Sequence, residues 1–162
     1  MHTGLRNTLV LLARPWLVIV MLFCMTSVPV VAWAALGGDM ESVDADQTAM
    51  NATEQIATSS ESYTVYELRT PAGTVVREFL SLDGSVFAVT WKGPLLPDLR
   101  QILGGYFKQY TEAAHNQHGG HGHLVIRRSD LVVESSGHMR AFSGRAYLPQ
   151  AMPQDIAVSD IR

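Results

Sequence analysis

The sequence predicts a small α+β domain: an antiparallel sheet of five or six strands with one long amphipathic helix packed on one face. Three observations lead there. From Val76 to Trp91 the apolar residues alternate, the period of half-buried strands. After Pro97 they fall at Leu99, Ile102, Leu103, Tyr106, Phe107 and Tyr110, in steps of three and four that make one helical stripe. Strand-like segments then resume after a His-Gly stretch, so helix and strands are segregated rather than alternating.

The first strand is expected over Tyr63–Thr70. Pro71-Ala72-Gly73 supplies a turn, with Pro fixing φ and Gly free to take a positive one. A three-residue loop there sets Glu67 opposite Arg77, Leu68 opposite Val76 and Tyr66 opposite Glu78. Asp83-Gly84 is a strong hairpin signal. A two-residue loop pairs Leu80 with Phe87, Glu78 with Val89 and Val76 with Trp91. Tyr66, Leu68, Val76, Leu80, Phe87, Val89 and Trp91 then share one face, the floor for the helix stripe. A three-residue loop, Leu82-Asp83-Gly84, would flip the third strand, so the two-residue loop is expected. Glu78 falls on the apolar face: a carboxylate in a partly dry site with a raised pKa, or, as the preferred expectation, a residue at the sheet rim or bonded to Tyr66 or a helix end.

Pro97 suits the first helical turn and Asp98 its positive end. Gly104-Gly105 is expected to mark close approach of helix to sheet. Full burial of Phe107 would make Phe107→Ala cost about 3–5 kcal/mol. Further strands are expected at Leu124–Arg128, Leu131–Ser136 and Met139–Leu148, with turns at Ser129-Asp130 and Ser136-Gly137. Pro149 and Pro153 end regular structure.

Outside this domain (63–149) the reading is export signal, tether and tail. Arg6 and Arg14 form a positive region, Trp16–Val31 is almost wholly apolar, and Ala32-Trp33-Ala34 offers small residues at a cleavage site. Residues 1–34 are therefore expected to be a signal peptide cleaved before Ala35, giving a periplasmic or secreted protein with no membrane attachment afterwards. Cleavage removes Cys24, leaving neither disulfide nor thiolate. It also removes two arginines and no acid, so ten basic and fifteen acidic residues remain of twelve and fifteen, about −5. That argues against a nucleic-acid partner. Residues 35–62 are rich in Ala, Ser, Thr and acids, with no Lys, Arg or aromatic residue, and are expected to be a disordered tether. Residues 150–162 are expected to be a C-terminal tail.

The catalytic signatures G-x-S-x-G, H-E-x-x-H, the P-loop and G-x-G-x-x-G are absent, so no catalytic or cofactor-binding residue is expected. Ser143 reads as an ordinary strand residue, and His138, Arg140 and Arg145 as a turn histidine and solvent-facing arginines. The remaining candidate is the cluster His115, His118, His121 and His123, because His-rich tracts bind divalent transition metals. Gly119, Gly120 and Gly122 make such ligation weak, since fixing each residue costs about 1–2 kcal/mol.

The runs YELRTPAGTVVREFLSLDGSVFAVTWKGPLLPDLRQILGGYF and LVVESSGHMRAFSGRAYLP closely resemble a family of exported bacterial proteins, domain of unknown function 2844. The likeness covers roughly Tyr63 to Arg162. It implies the domain boundary and export from a Gram-negative cell, and brings no activity, cofactor or catalytic residue. The expected function is a non-enzymatic exported module that binds a protein or envelope component. A metal-binding protein using the histidine loop and a small hydrolase using a carboxylate such as Glu78 are the alternatives.

Overall fold

The computed structural model describes residues 36–116 and 122–162. The expected signal peptide lies outside them. One antiparallel sheet carries the fold. Its seven strands are β1 (Glu54–Ser59), β2 (Tyr63–Arg69), β3 (Val75–Ser81), β4 (Val86–Gly93), β5 (His123–Arg127), β6 (Val132–His138) and β7 (Ala141–Tyr147), in the order β1-β2-β3-β4-β7-β6-β5. Between β4 and β5 the chain crosses one face as a helical segment and returns strand by strand until β7 pairs with β4.

Seven strands replace the expected five or six because the segment read as a disordered tether is folded. Met40–Ala49 forms a helix, α1, capped by Asp39, whose side chain accepts from Ser42 N. Glu54–Ser59 then pairs with Thr64–Arg69 of β2. Leu36 and Val43 are buried. Backbone bonds fasten the strap, from Leu36 N to Ile102 O at 3.0 Å and from Gly37 N to Val86 O at 2.8 Å. The composition argument failed because β1 adds a strand to a sheet whose core others supply, and so needs little apolar surface of its own.

The β2–β3 register is as the turn predicted, with Glu67 opposite Arg77 and an ion pair of 2.8 Å between them. The β3–β4 hairpin is different. Ser81 N bonds Ser85 O at 3.0 Å across the three-residue loop Leu82-Asp83-Gly84, with Gly84 at φ +84. That loop alone would invert β4, but a bulge corrects it. Leu80 pairs with Val86 and Phe79 with Ala88, leaving Phe87 as the extra residue. Beyond it Glu78 faces Val89 and Val76 faces Trp91, as expected. The expected Leu80–Phe87 pairing is lost, and Phe87 moves to the opposite face of the sheet from Val89 and Trp91.

Two cores result. On the helical side Leu68, Val76, Val86, Val89 and Trp91 pack with Val133 and Ala146 under Val43, Leu99, Ile102 and Leu103. On the other side Phe79, Phe87 and Ala88 pack with Ile156 and Ile161. The tail is thus part of the core rather than an appendage.

Asp98 caps the crossing helix, accepting from Arg100 N at 2.9 Å, and Pro97 precedes the cap rather than opening the first turn. The segment runs as α2 (Leu99–Leu103), a 3-10 turn (Gly104–Tyr106) and α3 (Phe107–Asn116). Phe107 is half-buried, so its truncation should cost less than full burial implies. Gly105 does not mark close approach, since a Cβ there would meet nothing within 4 Å. Gly104 instead leaves helical geometry at φ +48. Gly105→Ala is therefore expected to be neutral or to stabilise by up to about 1 kcal/mol, whereas Gly104→Ala destabilises, because only glycine takes that φ without strain. Thermal denaturation of the two variants checks this, and equal shifts would reject the assignment.

Among the later strands, Ser129-Asp130 forms the β5–β6 turn, with Arg128 N bonded to Leu131 O at 2.9 Å. The β6–β7 turn is at Met139-Arg140 rather than Ser136-Gly137. Gly137 lies within β6, where a Cβ would come within 2.4 Å of the Phe142 ring.

Candidate functional site

Two places concentrate polar chemistry. The first is inside the core. Glu78 alternates with Val76 and Leu80 on β3, so it points beneath the helices and is 1% exposed rather than at a rim. Asp46, on α1, is fully buried, and Gln101 of α2 donates from Nε2 to its Oδ1 at 2.5 Å. As carboxylates, Asp46 Oδ2 and both Glu78 oxygens would have no donor among the described residues. A proton on Glu78 relieves two of the three, because its O–H then donates to Asp46, and leaves one Glu78 oxygen without a donor.

Two adjacent buried carboxyls cannot both carry charge at ordinary cost. Burial pushes Glu78 well above the usual carboxylate range, and the hydrogen bond to Asp46 and its charge push it further. Burial raises Asp46 as well, partly offset by the bonds from Glu78 and Gln101. The sequence placed Glu78 on the apolar face but missed Asp46, which sits in the supposed tether. The signal available was Asp46 three residues after Val43, which puts both on one face of a helix. Sealed from solvent, Glu78 meets no substrate in this conformation.

The second place is an open groove of about 350 Å³ on the opposite sheet face, beside the tail. Cross-strand ion pairs organise it. Arg145 holds Glu134 at 2.7 Å, and Arg127 reaches the same carboxyl at 3.2 Å. The bond from Arg145 is the first cause that keeps Glu134 below its usual range. Arg145 also donates to the carbonyls of Val158 at 2.9 Å and Ile161 at 3.5 Å, and Arg77 to that of Arg162 at 3.2 Å, so two arginines clamp the tail. Lys92, His123, Ser136 and Ser143 line the remainder, with the two serine hydroxyls 3.1 Å apart. Lys92 forms no ion pair among those the described residues show.

Register sets exposed apolar side chains at the same end of the sheet. Lys92 pairs with Ser143, Gly93 with Phe142 and His138 with Ala141. The tip residue Met139 and the loop residues Leu95 and Leu96 are therefore close to this end, and all three are exposed. Thr74 pins that loop, its Oγ1 donating to Leu95 O at 2.8 Å.

Of the sequence candidates, Arg145 and Ser143 line the groove, whereas His138 and Arg140 do not. His115 lies in the last turn of α3 and His123 opens β5, both exposed, while His118 and His121 lie outside the described residues. Among the described residues no group of three potential ligands could hold a metal ion, and no helix is long and apolar enough to cross a membrane.

Fold and site define a small α+β protein built on one antiparallel sheet, with a polar groove on one face and helices on the other. Residues 32–161 match the model of the family described as protein of unknown function DUF2844, and the chain belongs to that family. No curated protein and no solved structure matches it.

Proposed function

We propose that this is an exported, non-enzymatic module that binds a partner protein at the groove end of its sheet. The observation that carries the reading is the company of charge and exposed apolar surface there: the cation of Lys92, with Ser136 and Ser143, beside Leu95, Leu96 and Met139. An acidic side chain flanked by apolar ones would complement it, the apolar contacts adding affinity and the charge orientation. His123 stands opposite Ser136 in the groove, but among the described residues the Ser136 hydroxyl bonds Ser143 and no hydrogen bond joins it to the imidazole, which favours binding over catalysis. Export is supported by the charged and apolar leader ending in Ala-Trp-Ala, and by a family match that begins at residue 32, beside the expected cleavage site.

A photo-crosslinking amino acid at Met139, in the full chain in its own cell, tests the reading. A discrete protein adduct is expected, lost when Lys92→Glu is added and absent when the probe sits at Lys108 on the helical side. No adduct, or an adduct to lipid or glycan alone, overturns it. Mass spectrometry of the fractionated protein should find Ala35 at the mature N-terminus; a chain retaining Met1 in the inner membrane would contradict export.

A further inference from the structure

The groove leaves the buried acid pair unexplained. Asp46 and Glu78 are 0% and 1% exposed, and they join elements distant in the chain, α1 and β3, with Gln101 of α2 beside them. No ion pair among the described residues involves either carboxyl. The groups facing Glu78 are Asp46 from α1, Tyr66 across the ladder on β2 and Val89 on β4. Gln101, from α2, faces Asp46. None of these is a cation. A buried carboxylate without a counter-charge costs several kcal/mol, and two facing each other cost more. The proton is therefore the only neutralising group the described surroundings supply.

We propose that one proton held between Glu78 and Asp46 latches α1 onto the sheet, and that α1 opens when the pair loses it. In the closed state the Glu78 O–H donates to the Asp46 carboxylate, which also takes the Gln101 amide. Loss of the proton to water leaves two anions facing each other across the α1–sheet contact. Repulsion and the demand for water then act in the same direction, against docking of the helix. Opening α1 uncovers Val43 and the sheet beneath it. The strap on either side of α1 is fastened independently, by the backbone bonds of Leu36 and Gly37 to Ile102 and Val86, and by Thr53 N to Arg69 O at 2.8 Å. The helix can therefore swing without unfolding the sheet.

The sign follows from linkage. Both carboxyls are raised above their ordinary values, so the closed state binds more protons than the open one. Closure is complete at acid pH and weakens as pH rises above the usual carboxylate range, by about tenfold in the opening equilibrium per pH unit for one proton. The weakening levels off once the closed pair itself ionises.

Hydrogen exchange of the full mature chain, corrected for the intrinsic pH dependence of exchange, tests the latch. Protection of the α1 amides should fall about tenfold per pH unit across that window while β3 and β4 remain protected. Glu78→Gln, whose amide can donate to Asp46 without titrating, should abolish the slope and retain protection. If that variant does not fold, the double variant Glu78→Gln/Asp46→Asn, which leaves no titrating group at the pair, should abolish the slope instead. Infrared spectra of the wild type should keep a protonated-carboxyl band at neutral pH that Glu78→Gln removes. Uniform loss of protection over the whole sheet, a slope that persists in either folded variant, or no protonated-carboxyl band would each overturn the proposal. So would calcium or zinc restoring α1 protection at alkaline pH in the wild type alone, since the pair would then hold a cation.

Discussion

Trp91→Ala is expected to lower the free energy of unfolding by about 3–5 kcal/mol, read as a lower urea midpoint at an unchanged slope. Trp91 is the largest fully buried side chain among the described residues. It stands on β4 between Val76 on β3 and Gly144 on β7. Gly144 is the indole's counterpart. A Cβ there would lie 2.3 Å from Trp91 Cζ2 and 2.7 Å from the Glu134 carbonyl oxygen, so ring and glycine are matched in size. Trp91→Phe should cost far less than alanine, because Nε1 has no acceptor among the described residues and no hydrogen bond is lost. Gly144→Ala should also destabilise, by about 1–3 kcal/mol. Combined with Trp91→Ala it should cost less than alone, because half of the clash is gone. A Trp91→Ala variant within about 0.5 kcal/mol of the parent would refute this account of the core.

Ile161→Ala is expected to cost about 2–5 kcal/mol and Ile161→Val about 0.5–1.5 kcal/mol, measured by thermal or denaturant unfolding. Ile161 is fully buried although it lies in the segment after Pro153. It closes the second core over Phe79 and Phe87, whose ring centroids are 6.1 Å apart, with Tyr63 edge-on to Phe87 at 6.2 Å. Arg145 holds the carbonyls on either side of this packing in place. Limited proteolysis gives a second reading: the tail should be resistant in the parent and cut in Ile161→Ala. Were both substitutions neutral, the tail would be a surface strap and the second core would end at the sheet.

The groove residues show how far local pattern reaches. Arg77 was legible because Pro71-Ala72-Gly73 sets its register against Glu67 within one hairpin. Arg145 was seen only as a solvent-facing cation, because its partners, Glu134 and the tail carbonyls, come from a neighbouring strand and from the tail. Gly137 was misread as a turn because a glycine that makes room for a ring across a ladder has the same letter as one that takes a positive φ.

The sequence by itself determined the fold class, the helix stripe, the β2–β3 register and the place of Glu78 on the apolar face. Each depends on side-chain period or on the backbone needs of two or three adjacent residues, which are written locally. Tertiary structure decided the seventh strand, the Phe87 bulge, the packing of the tail and the union of Glu78 with Asp46. A bulge forms where an aromatic ring gains more from a distant apolar cluster than from its expected neighbours. An edge strand forms where a sheet already offers an unpaired row of N–H and C=O groups. An acid enters a core where another element brings the group that shares its proton. These energies belong to contacts between segments far apart in the chain, and they exist only once the sheet has brought those segments together.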